Sequence, residues 1–278
     1  MKSSRFLIRT ALILICTVPA LSLSAQNNQV NSDFVPEVGQ HGKDVVWVPT
    51  PPELVNTMLK MAKVTPEDFV IDLGSGDGRT VIAAAKLGAH ALGIEYNPDM
   101  VELSKNNAIK EGVSDKTEFL NKDLYECDLS KATVITMFLL PEINLKLRPR
   151  LLDLKPGTRI VSNTFSMSDW EADYEVTTEE NWNSWNNALL WIVPAKVEGT
   201  WKFPNGEIIF TQKFQMLQGT FKNGTKTSPI QDGRLRGNEI TFKINGDIYS
   251  GQVQDNTILG TVTNSSSKSD WSATRRQE

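Results

Sequence analysis

The run Val70-Ile71-Asp72-Leu73-Gly74-Ser75-Gly76-Asp77-Gly78-Arg79 sets three alternate glycines between and beside two acids, directly after a short apolar stretch. The stretch reads as a strand and the glycines as its turn into a helix, where bare backbone approaches a ligand. A dinucleotide site needs similar glycines, but it places a pyrophosphate on the helix N-terminus, where nearby carboxylates are unfavourable. Here Asp72 and Asp77 bracket the turn, and Arg79 stands where G-x-G-x-x-G has its last glycine. That negative field suits a ligand carrying an ammonium and a sulfonium. The turn therefore points to S-adenosylmethionine (SAM) rather than a nicotinamide dinucleotide.

In a doubly wound fold the ligand lies beyond the carboxyl ends of the strands. Gly74 and Gly76 let backbone amides approach the methionine part of SAM, with Asp72 and Asp77 facing its ammonium. Glu95, 21 residues after Gly74, ends a second strand at the distance where an acid accepts ribose hydroxyls, and Tyr96 beside it can lie along the adenine. A third strand ends before Asn121-Lys122-Asp123-Leu124-Tyr125, so Asp123 can accept from the adenine amino group while Leu124 packs its ring. A fourth ends in Met137-Phe138-Leu139-Leu140-Pro141-Glu142, where an acceptor would meet the sulfonium. Phe138 and Pro141 are the candidates there, although Pro141 before Glu142 fits helix initiation equally well.

The elements that must position these residues alternate. Thr50, Pro51 and Glu53 read as a capping box opening a helix whose buried face is Leu54, Val55, Met58, Leu59 and Ala62. Strands follow at 69–72, 91–95, 117–120, 133–139 and 158–162, with helices at 78–87, 98–110 and 142–152. Asn97-Pro98 caps the middle helix, and Gly88 and Gly112 close the first two. This is the pattern of an α/β doubly wound, Rossmann-like sheet. After Pro194 the segments alternate at period two. Ile208, Phe210, Phe214 and Met216 share one parity, and Ile240, Phe242 and Ile244 another. Asn205-Gly206, Asn223-Gly224, Asp232-Gly233 and Asn245-Gly246 supply turns for an antiparallel β-meander or open barrel. The echo Leu217-Gln218-Gly219, Leu235-Arg236-Gly237 and Ile258-Leu259-Gly260 suggests hairpins of similar build.

The 278 residues are 40% apolar, enough for an ordinary domain and a smaller one. Lys2, Arg5 and Arg9 precede an apolar run of about 13 residues and the small residues Ser22, Ser24 and Ala25, the form of a secretory signal peptide. The expected divisions are signal peptide 1–25, linker 26–40, catalytic domain 41–196, β-domain 197–264 and disordered polar tail 265–278. The expected location is exported or periplasmic. The alternative is a membrane anchor through residues 6–24, and membrane association is expected only if that segment stays uncleaved. Cleavage would leave 26 Lys and Arg against 33 Asp and Glu, a balance that disfavours nucleic acid as a partner. Cys127 would then be the one thiol left, a buried small hydrophobe. His41 and His90 are the only histidines, neither with a ligand-spaced partner, so zinc and His-based triads are excluded and no metal is expected.

With these strand ends in place, the chain resembles the class I seven-strand methyltransferases, and among them the lysine methyltransferases of the mitochondrial ATP synthase c-ring protein and the adenine nucleotide translocase. The likeness runs through Val46-Trp47-Val48-Pro49-Thr50-Pro51, the glycine turn, Glu95-Tyr96-Asn97-Pro98, Lys122-Asp123-Leu124-Tyr125, Phe138-Leu139-Leu140-Pro141 and Pro156-Gly157-Thr158-Arg159-Ile160-Val161-Ser162, covering roughly residues 44–176. It implies a seven-strand sheet, SAM as cofactor and methylation of a lysine amine. It adds Thr50 to a cofactor set of Asp72, Gly74, Ser75, Gly76, Asp77, Glu95, Tyr96, Asp123 and Leu124. Phe138, Leu139 and Leu140 are expected to line the acceptor slot. A signal peptide and a C-terminal β-domain depart from those relatives. Two other readings keep the pocket: a small-molecule methyltransferase, and an exported nucleoside- or ligand-binding module without turnover.

Overall fold

In a computed structural model, residues 34–179 and 185–276 are described; the expected signal peptide and residues 26–33 of the expected linker lie outside them. Among the described residues no helix is long and apolar enough to cross a membrane. Order begins before His41, because Gly39 donates to the Trp47 carbonyl (2.8 Å) and Trp47 donates to that of Gln40 (2.9 Å). These bonds close a small hairpin that brings Trp47 to the glycine turn.

The catalytic half alternates as its sequence pattern requires: α1 (Pro52–Met61), β1 (Phe69–Leu73), α2 (Arg79–Lys86), β2 (His90–Glu95), α3 (Pro98–Lys110), β3 (Thr117–Asn121), β4 (Val134–Met137), α4 (Pro141–Leu152), β5 (Arg159–Asn163), β6 (Tyr174–Thr177) and β7 (Asn187–Ile192). The sheet order is β3-β2-β1-β4-β5-β7-β6; the first five strands are parallel, β7 is antiparallel to β5, and β6, antiparallel to β7, runs with the first five. The chain reverses direction of travel across the sheet between β1 and β4, and a crevice opens beyond their carboxyl ends. Leu54, Met58, Val81, Ala84 and Val101 of α1 to α3 pack on one face, while Ile143, Leu147 and Leu151 of α4 pack on the other. The capping box does not form. Pro51 is the N-cap of α1 without a side-chain bond. Thr50 turns inward instead, its hydroxyl accepting from Asn163 Nδ2 at 3.2 Å. Asn97 caps α3 as its sequence implies, accepting from the Asp99 amide at 2.9 Å.

The C-terminal half is a closed barrel rather than an open meander. Its strands are β8 (Gly199–Phe203), β9 (Gly206–Lys213), β10 (Met216–Asn223), β11 (Lys226–Pro229), β12 (Gln231–Arg236), β13 (Glu239–Ile244), β14 (Asp247–Gln254), β15 (Thr257–Thr263) and β16 (Lys268–Arg275). Eight close antiparallel through the β9–β10 and β16–β8 pairings, and β11 hangs on β10. Closure leaves no exposed edge on those eight strands. The expected disordered tail is thus mistaken, because β16 completes the ring. Its Trp271 and Ala273 face inward among outward polar residues. One register row runs Leu235, Ile240, Gly251, Gly260, Trp271. Gly251 makes room for the indole, since a Cβ there would stand 3.1 Å from its ring, and Gly260 lets the neighbouring backbone approach, a Cβ there standing 2.1 Å from the Ser250 carbonyl oxygen. Asp232-Gly233 is not a turn but an irregularity within β12. Parity also breaks at Phe214 (φ +53), so Leu217 is buried and Met216 exposed.

The barrel docks on the sheet side. Phe214 stacks on Trp170 at 5.8 Å, Gln215 donates to the Glu171 carbonyl at 2.8 Å, and Arg234 pairs with Asp173 at 2.6 Å. Replacing Trp271 with alanine is expected to cost about 3–5 kcal/mol in urea denaturation. A loss under about 1 kcal/mol would mean that the terminal strand is dispensable.

Candidate active site

A crevice enclosing about 1050 Å³ of empty space, its open mouth included, lies where β1 and β4 diverge. Thr50, Asp72, Gly74, Ser75, Gly76, Asp77, Glu95, Tyr96, Asp123, Leu124 and Phe138 all line it. Leu139 lines it too, but Leu140 and Pro141 do not. Pro141 is the exposed first residue of α4, where its fixed φ serves helix initiation, and it lies outside the cavity lining.

The glycine turn is pinned from several sides. The Gly74 and Ser75 amides donate to the Ile94 carbonyl at 2.9 and 3.0 Å, and from α3 Ser104 donates to the Gly76 carbonyl at 2.8 Å and Asn107 to that of Asp77 at 3.0 Å. Gly76 has φ +55, and a Cβ there would stand 2.5 Å from Trp47 Nε1. Only glycine lets the backbone pass under this indole.

The four acids differ in what they already hold. Asp77 grips Arg79 through Nε (3.0 Å) and Nη2 (2.6 Å), and Arg79 Nη1 donates to the Thr50 carbonyl at 2.9 Å. Its charge is therefore met within the chain and not free for a ligand, unlike the sequence expectation. Asp123 is likewise engaged, by Lys43 and by the Tyr125 amide at 2.9 Å. Lys43, whose ammonium also lies 4.9 Å over the Tyr96 ring, holds the Asp123 carboxyl below its usual range; its own pKa is raised by the same bond. Both side chains keep contact with solvent, so the pair is weak and displaceable.

Asp72 and Glu95 have no cationic partner among the described residues. Glu95 accepts from the Gly76 amide at 3.0 Å and the Asn97 amide at 2.9 Å, one on each oxygen, which leaves a lone pair on each. Asp72 lies opposite Thr136 in the β1–β4 ladder and accepts from its hydroxyl at 2.6 Å. Burial pushes the Asp72 carboxyl up to about 7; the Thr136 bond opposes the rise, and the charges of Glu95 and Asp77 add to it. The Ser75 hydroxyl is buried without a partner among the described residues. Two acids without a cationic partner, an orphaned hydroxyl and a turn whose glycines bare its backbone fit a positively charged adenosyl ligand, with Ile94, Met100 and Leu124 as apolar lining.

The family model of the ANTKMT methyltransferase domain matches residues 72–174, and one described as a DNA methylase matches residues 24–106. Over 152 residues the chain is 41% identical to a protein-lysine N-methyltransferase of Saccharolobus islandicus, covering 54% of this chain and 94% of that protein. The chain belongs to this family of class I methyltransferases. A solved RNA methyltransferase from Salinibacter ruber, in complex with S-adenosyl-L-homocysteine, is 45% identical with a TM-score of 0.51, covering 54% of this chain and 96% of that one. The adenine nucleotide translocase lysine N-methyltransferase of Mus musculus is 35% identical over 119 residues, which are 42% of this chain, and the chain spans about half, 52%, of that relative's length. The methyltransferase uses SAM as its cofactor.

Sequence reasoning missed Lys43 and the fold-back of Trp47, which reach the cavity only through the N-terminal hairpin. It also missed Thr136 and Asn163, ordinary strand residues until the register sets them beside Asp72 and Thr50. Between the usual aspartate range and about 7, the folded chain holds a proton on Asp72 that the unfolded chain has lost, so stability falls as pH rises through that window. Without cofactor, urea denaturation should show the enzyme about 2 kcal/mol less stable at pH 8 than at pH 5.5, and Asp72→Asn should remove most of that fall. Parallel pH profiles for the two proteins would contradict the assignment.

Proposed function

We propose that this methyltransferase acts on lysine amines of protein substrates. One observation carries the reading: Asp72 and Glu95, unpaired, sit in a crevice that also reaches the aromatic ring of Phe138. The Saccharolobus islandicus and Mus musculus relatives are both described as lysine methyltransferases, which supports the choice of acceptor.

Asp72, Gly74, Ser75, Gly76 and Glu95 would hold SAM, with Thr50 and Asp77 positioning the turn through Arg79 and with Tyr96, Asp123 and Leu124 at the adenine end. Bound there, SAM supplies a methyl group already activated by its sulfonium. The residues of the chain contribute alignment and exclusion of water. A lysine must arrive uncharged, and bringing it from its reference pKa near 10.4 to neutrality costs roughly 4–5 kcal/mol, which desolvation against Phe138 and Leu139 offsets in part. At the adenine end Lys43 must yield Asp123 if the adenine amino group is to reach it, and an exposed ion pair permits that exchange.

Export belongs to the same proposal and rests on the charged and apolar pattern of residues 1–25. An RNA acceptor is the second reading, favoured by the description of the Salinibacter ruber relative and opposed by a net charge of −4. Incubation of the protein with methyl-labelled SAM and an extract of its source cells separates the two. The expected label survives nuclease, is lost with protease and appears as methyl-lysine after hydrolysis. Label confined to RNA or to small molecules would refute the proposal.

A further inference from the structure

Beside the cofactor cavity stand three aromatic rings that neither core absorbs. Phe138 follows β4 and lines the cavity. Its ring stacks on Phe165 at 6.0 Å and 20°, and meets Trp185 edge-on at 5.9 Å and 65°. All three are only half-buried, whereas the other paired tryptophans of this domain, Trp170 and Trp191, are fully enclosed. Phe165 and Trp185 do not line the cavity themselves, but they buttress the Phe138 ring that does, and half-buried aromatic rings beside a ligand crevice can take part of what enters it.

The backbone is strained to put Phe165 there. Thr164 has φ +60, a conformation that a β-branched residue adopts only when its surroundings impose it. The imposing contacts are the Thr164 amide on the Asn187 carbonyl at 2.7 Å and the Thr164 hydroxyl on Asn163 Oδ1 at 2.8 Å. Asn163 is itself fully buried and donates to Thr50 at 3.2 Å. Through Arg79, Thr50 joins this turn to Asp77.

We infer that Phe138, Phe165 and Trp185 form the wall of the acceptor slot, that they take the aliphatic stem and amine of a substrate lysine, and that the Asn163-Thr164 turn is the device positioning Phe165. The inference rests on the lysine reading above. The three rings present no carboxylate to hold the amine as an ion pair. They desolvate it, which favours the uncharged form, and their faces attract the methylammonium as charge develops on nitrogen. Phe165 and Trp185 are specificity-determining residues, and Thr164 is a positioning residue.

The test measures Phe165→Ala, Trp185→Ala, Thr164→Ala and the conservative Phe165→Tyr in the full chain. Two readouts apply: calorimetric affinity for S-adenosylhomocysteine, and KM and kcat on the protein fraction that wild type labels. Phe165→Ala and Trp185→Ala should lose about tenfold or more in kcat/KM, chiefly through KM, with cofactor-product affinity within about twofold of wild type. Phe165→Tyr should restore most of the loss, and Thr164→Ala should fall between. An unchanged KM in both alanine variants overturns the inference, as does an equal loss of S-adenosylhomocysteine binding, which would place the rings at the cofactor. A wild-type protein that labels no lysine overturns the underlying reading, and this inference with it.

Discussion

Burying a carboxylate at the end of β1 is the constraint around which the site is organised. Asp72 is 6% exposed and meets no cation among the described residues, a placement that folding alone disfavours. The parallel register with β4 brings Thr136 opposite to give it one hydrogen bond, and the rise of its pKa to about 7 shows that one bond does not compensate. Glu95, ending the neighbouring strand, adds a second negative charge to the same crevice. Stability is sacrificed where a cationic ligand can return it, a trade familiar at functional sites.

The remaining polar residues keep that crevice in shape. Asp77 reads in the sequence like a third ligand-facing acid, yet its bidentate pair with Arg79 makes it structural. Arg79 in turn fixes the Thr50 carbonyl, and Thr50 fixes Asn163 at the end of β5. One chain of contacts thus runs from the glycine turn, across the N-terminal lead-in, to the strained turn that carries Phe165. It explains why the lead-in Val46 to Pro51 is part of the site although it belongs to no strand or helix of the sheet.

The glycine turn, the strand ends and the alternation of strands and helices were legible because each is a local signal: alternate glycines, an acid after an apolar run, a period of 3.6 or 2. Elements defined by partners were not. β16 looked like a polar tail because only Trp271 and Ala273 of its eight residues face the core, and the need for it appears only when β8 lacks a neighbour. Asp232-Gly233 has turn composition, yet the barrel uses it as an irregularity inside a strand. Thr50 carries a capping signal that tertiary partners override. Lys43 and Trp47 sit far in sequence from Asp123 and Gly76, and nothing in their own neighbourhood announces the contact. Pro141 is the reverse case: it is near Phe138 in sequence, yet it lies outside the cavity lining.

The barrel extends the family unit without entering this cavity; none of its described residues lines it. Cofactor recognition stands on the two unpaired acids, and direct calorimetry of SAM binding tests them. Asp72→Asn and Glu95→Gln should each weaken binding by about 1.5–3 kcal/mol, the scale of a hydrogen bond to a charged group, while both variants remain folded. Affinities within about twofold of wild type in both would contradict the claim that these carboxylates recognise the cofactor.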